Sequence, residues 1–84
     1  MNSLDHYRKK IDSIDKKIVS LLKARFEVAK LISSFKKSGK IGIADKKREL
    51  EVLSNIKKYS KSHQKFLTII FKKIIAYSKK LQRQ

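Results

Sequence analysis

Apolar side chains recur along the N-terminal half of the chain at steps of three and four: Leu4, Tyr7, Ile11, Ile14, Ile18, Leu21, Leu22, Val28, Ala29, Ile32 and Phe35. Residues three and four apart share a helix face, so this spacing predicts one amphipathic helix from Leu4 to about Lys37. A helix of some 34 residues is about 50 Å long. The only two glycines, Gly39 and Gly42, fall together in Ser38–Ala44, and there is no proline. That segment is the predicted loop, and Asp45 stands where the N-cap of a second helix belongs. The second helix is expected to run to about Tyr59 with a narrow apolar face of Leu50, Leu53 and Ile56. A polar stretch, Ser60 to Gln64, predicts a break. A third helix then follows from about Gln64 to the C-terminus, with Leu67, Ile70, Phe71, Ile74, Ile75 and Leu81 inward. The fold class expected is all-α, with one long N-terminal helix and two shorter ones. The rest of the chain is too short to cover a stripe of 50 Å, so a second copy is expected to pack on it.

Length and composition agree with that reading. Eighty-four residues make a single domain, 1–84, that is marginal on its own. There is no cysteine, and His6 and His63 have no ligand spacing around them, so no metal site is expected. Charges fill the N-terminus where a signal peptide needs an apolar run, and no stretch approaches the ~20 apolar residues of a membrane span. A soluble, cytoplasmic protein with no membrane partner is expected. The net charge of +16 raises a nucleic-acid reading. The basic residues, however, are nineteen Lys and four Arg, spread as doublets from Lys9-Lys10 to Lys79-Lys80. A base-reading surface concentrates charge and uses Arg for bidentate contacts. Spread lysines fit solvated helix faces better, although the surplus still attracts anions.

Some polar residues fall where the stripe calls for apolar ones. Arg25 sits seven residues after Ile18 and seven before Ile32, on the inward face of the first helix. Lys36, eleven residues further, shares that face. Lys36 can snorkel to solvent, but a cation between isoleucines is costly unless it meets an anion, so Arg25 points to an anion site. Ser78 and Gln82, one turn apart, continue the line of Phe71, Ile74 and Ile75; they fit either a site or a fraying terminus. Asp45, Arg48 and Glu49 cluster at the start of the second helix. The two acids there suit the helix dipole, whereas Arg48 opposes it. In a chain that otherwise prefers Lys, the arginines Arg8, Arg25 and Arg48 suggest a planar fork for carboxylates. Arg8 and Arg25 are about 25 Å apart on one helix and cannot hold one small molecule within a chain; if both are functional, Arg8 must reach into a partner's site.

The runs Leu4-Asp-x-Tyr-Arg8-x-x-Ile-Asp-x-Ile-Asp15, Ile18-x-x-Leu-Leu-x-x-Arg25 and Lys36 resemble the first helix of the all-helical chorismate mutases. Asp45-x-x-Arg48-Glu49 resembles their second-helix motif, and Phe71-x-x-Ile-Ile-x-x-Ser78-x-x-x-Gln82 their third. The resemblance covers nearly the whole chain without an insertion. It implies an intertwined homodimer and an isomerase of phenylalanine and tyrosine biosynthesis. The reaction is the Claisen rearrangement of chorismate to prephenate, with no cofactor. It further implies that Arg25 and the partner's Arg8 clamp the two substrate carboxylates, and that Lys36 and Gln82 donate to the ether oxygen. Arg48 and Glu49, with Asp45, would bind the ring hydroxyl; Ser78 would touch a carboxylate; Ile32 and Ile75 would pack on the carbon skeleton. Of Lys36 and Lys37, Lys36 has the better spacing from Arg25. The loop departs from the family in carrying Ile41-Gly42-Ile43 where relatives often have proline. No fused dehydratase or dehydrogenase domain is expected. Isochorismate–pyruvate lyases share the fold and a similar cationic pocket, and the Asp45, Arg48 and Glu49 cluster favours the mutase over them. A purely structural coiled coil gives no reason for Arg25.

Overall fold

The structure, a computed structural model, describes residues 3–37 and 46–82, with Lys36 and Lys37 described in the backbone alone. Every described residue is helical. Helix α1 spans Ser3–Lys37, α2 spans Lys46–Ser60, a 3-10 turn covers Lys61–His63, and α3 spans Gln64–Gln82. The all-helical expectation is borne out, with element ends within a residue or two of the hydrophobic pattern. The predicted loop Ser38–Ala44 and N-cap Asp45 lie outside the described residues. Among the described residues no helix is long and apolar enough to cross a membrane.

Helices α1 and α2 both pack on α3, which makes α3 the middle element. It buries Ile74, Ser78 and Leu81. From α1 the side chains withdrawn from solvent are Leu22, Arg25, Phe26, Ala29 and Ser33, again at steps of three and four. Buried Ala29 has almost no side chain, which allows a close approach of α1 to α3. Beside it, Phe26 meets Tyr77 edge to face at 4.9 Å, an arrangement the ring quadrupoles favour. Helix α2 turns Glu49, Val52, Leu53, Ile56 and Ser60 toward α3. Leu50, expected on that face, is exposed. It lies about 100° round the helix from Glu49, and the helix has seated the Glu49–Leu53–Ser60 line instead.

The long stripe of α1 divides in two. Its C-terminal part meets α3, whereas Leu4, Tyr7, Ile11, Ile14 and Ile18 are each 49–60% exposed. Leu21, Val28 and Phe35, also expected inward, face solvent as well. A single antiparallel neighbour covers only a narrow strip of a helix, and α3 is about half as long as α1 (19 against 35 residues). The radius of gyration is 16.4 Å, against about 12 Å for a compact domain of this length. The surface is 7314 Å², whereas a globule of this mass exposes roughly 5,200 Å². Three buried apolar residues, Ala29, Ile74 and Leu81, are the core within the described residues. The fold is therefore an open frame.

The corner between α2 and α3 is tied by side chains. Gln64 Nε2 donates to the Lys57 carbonyl at 3.0 Å, and the Ser60 hydroxyl donates to the Ile56 carbonyl. The first adds a donor to a carbonyl of the last turn, where helical donors run out. Lys61 makes the corner with a φ of 52°, a left-handed conformation that Cβ penalises. Replacing Lys61 with Gly is expected to raise stability by about 1 kcal/mol. A urea titration checks this: the midpoint should rise with an unchanged slope.

Candidate active site

Arg25 lies on the part of α1 that α3 covers. Its Nη1 donates to Ser78 Oγ at 2.7 Å. Ser78 is buried and donates its own proton to the Ile74 carbonyl at 2.8 Å, back along α3. The hydroxyl is thereby fixed as an acceptor toward Arg25. One of the five guanidinium N–H groups is used in this way, and the fork is held in one orientation. Burial lowers the Arg25 pKa from its ordinary value, and the nearby positive charge of Arg48 lowers it further. The group remains a cation at neutral pH, since arginine does not deprotonate in proteins. Among the described residues no carboxylate forms an ion pair with Arg25. Two guanidiniums converging without a counter-carboxylate on the inner one are repulsive until an anion arrives.

Arg48 stands on the first turn of α2, where its Nη1 also meets Glu51 Oε1 at 3.3 Å on the exposed side. That contact is solvated and worth little. Next to it, Glu49 turns inward and forms an ion pair with Lys79 of α3. The Glu49 and Lys79 side chains are 25% and 29% exposed, so the pair is partly shielded from water. Lys79 did not emerge from sequence because it sits in one of the many KK doublets. The available signal was its place one turn after Ile75, on the inward line of α3.

The structure thus brings together Arg25, Arg48, Glu49 and Ser78 at the junction of all three helices. Ile75 and Gln82 are half-buried on the same side of α3, and Ile32 is on the solvent edge of α1. Arg8 is exposed, seventeen residues before Arg25 and about 25 Å away along α1. The single chain does not bring it to the others. Lys36 occupies the last turn of α1 on the Arg25 face by helical period, and Asp45 lies outside the described residues. Among the described residues no group of His, Asp and Glu side chains could hold a metal ion. The arrangement offers an inner guanidinium able to grip a carboxylate, beside a second cation and a carboxylate that can accept a hydrogen bond.

The chain matches the family model described as chorismate mutase type II over residues 7–83. A chorismate mutase of Methanocaldococcus jannaschii is 37% identical over 87 aligned positions, which span 100% of this chain and 88% of that relative. No solved structure matches the chain. The family match runs through α1, α2 and α3, including the helix junction where Arg25, Arg48, Glu49 and Ser78 meet, and the chain belongs to the chorismate mutase type II family.

Proposed function

We propose that this isomerase converts chorismate to prephenate in a cationic site centred on Arg25 and completed by Arg8 of a second copy. The observation that carries the reading is the partly buried Arg25, held by Ser78, near Arg48 and paired with no carboxylate among the described residues. Such a cation is stabilised by an anionic ligand, and chorismate brings two carboxylates. The rearrangement is intramolecular: the ether C–O bond breaks as a C–C bond forms in the same molecule. It needs no nucleophile and no proton transfer. Rate enhancement then comes from holding the compact reactive conformer and from favouring charge separation.

Arg25 grips one carboxylate through its remaining donors, with Ser78 fixing its plane. Arg8 of the partner subunit holds the other, which locks the enolpyruvyl arm over the ring. Lys36 and Gln82 donate to the ether oxygen as it gains negative charge. Arg48 and Glu49 engage the ring hydroxyl, with Asp45 contributing there, and Ile32 and Ile75 pack against the carbon skeleton. The +16 charge draws the dianion toward the site.

Two features support an intertwined homodimer of single-domain chains, to which we assign a cytoplasmic location. The stripe from Leu4 to Ile18 is uncovered, and it is continuous with the face that carries Arg25. The surface exceeds that of a globule of this mass by about 2,100 Å², within the scale that obligate dimers bury. A second copy laid along that stripe covers the apolar residues and delivers Arg8 in the same step.

The decisive assay follows chorismate consumption with prephenate and pyruvate both measured. Arg25→Ala is expected to lower prephenate formation by about 100- to 1,000-fold in a protein that remains a folded dimer. Pyruvate released from isochorismate, with little prephenate from chorismate, would assign the chain to the lyases of this fold instead. The shared site is tested by mixing. Inactive Arg8→Ala and Arg25→Ala proteins, unfolded and refolded together, should recover about a quarter of wild-type activity, since half the dimers are mixed and each has one complete site of two. Folded mixed dimers with no activity would refute a site built from both chains.

A further inference from the structure

Resting on the mutase site above, we infer that Lys79 is a positioning residue that holds the Glu49 carboxylate in place for the substrate hydroxyl. Glu49 Oε1 is buried and makes no well-directed hydrogen bond among the described residues. Its neighbour is the Lys79 ammonium. An ammonium is a compact charge with rotatable donors, and here it stands against Oε1 of the carboxylate. The other oxygen of Glu49 is left for a ligand.

The position of Lys79 on α3 adds a second reason. Ser78 and Lys79 are consecutive, and they reach opposite neighbours: Ser78 binds Arg25 of α1, and Lys79 binds Glu49 of α2. Arg48 is beside Glu49 in sequence and Arg25 is near Arg48, so a Glu49 released from Lys79 would be drawn to cations. Such pairing would take charge and a hydroxyl contact away from the substrate. Lys79 therefore keeps the acid and the cations of the site apart. The bonds of the ring hydroxyl itself are neither made nor broken in the rearrangement, so its contact with Glu49 is expected to be alike in ground and transition states. A loss there shows in KM.

The test compares steady-state kinetics of Lys79→Met, Lys79→Arg, Glu49→Gln and the Glu49→Gln/Lys79→Met double variant, each checked for helicity and dimer mass. Methionine keeps the apolar stem and removes the charge. Should it prove too apolar at a partly exposed position, Lys79→Gln carries the same expectations. Lys79→Met is expected to raise KM about ten-fold and to change kcat by less than about two-fold. Lys79→Arg should regain most of the lost kcat/KM. The double variant should be no worse than Glu49→Gln alone, because the two side chains act as one unit. An unchanged KM in Lys79→Met, a failure of Lys79→Arg to recover activity, or additive losses in the double variant would each overturn the inference. If Glu49→Gln itself has wild-type kinetics, the role given to Glu49 and this inference fall together. If Glu49→Gln is impaired and Lys79→Met is not, the inference alone is lost.

Discussion

A partly buried guanidinium, paired with no carboxylate among the described residues, is the constraint around which the molecule is arranged. Arg25 could have been neutralised by an acid, as most partly buried arginines are, and the chain would gain stability from it. Instead, among the described residues, its fixed partner is a neutral hydroxyl, and another cation, Arg48, is near enough to lower its pKa. Both features leave electrostatic free energy that an anionic ligand would recover. Reactions that proceed without nucleophile or proton transfer depend on such preorganisation more than others do, because nothing else in the site can lower the barrier.

The open frame follows the same logic at larger scale. A chain of this length could bury more of its apolar surface by folding α1 in two. It keeps α1 unbroken for 35 residues, and about half of that helix has no neighbour among the described residues. The long helix places Arg8 too far from Arg25 to act with it within one chain. In the proposed dimer, the distance that looks wasteful in one copy is the distance a partner's arm would span.

Much of this was legible in the sequence. Helical periodicity located the three helices, and the absence of glycine and proline within them left little choice of boundary. Arg25 was legible because an arginine on a line of isoleucines breaks the pattern, and Ser78 because it stands among Ile74, Ile75 and Leu81. Leu50, Leu21, Val28 and Phe35 were misplaced for one reason. Periodicity marks which residues avoid water in the finished assembly, and it does not say which neighbour covers them or how far a helix turns on seating. Lys79 was hidden by composition: with nineteen lysines in the chain, one that forms a shielded ion pair looks like the others.

The junction at α3 has a mechanical consequence. Ser78 and Lys79 leave the helix about 100° apart and engage side chains on two different neighbours. They cannot be adjusted one at a time. A rotation of α3 by about 10° moves atoms some 6 Å from its axis by roughly 1 Å, displacing the supports of Arg25 and Glu49 together. A misplacement of that size can cost about 100-fold in rate. In the proposed site the supports of Arg25 and Glu49 therefore share one degree of freedom, the roll of α3, in which Ile74 and Leu81 are buried. Substitutions at those two core positions would act on the chemistry as torque, without touching the substrate.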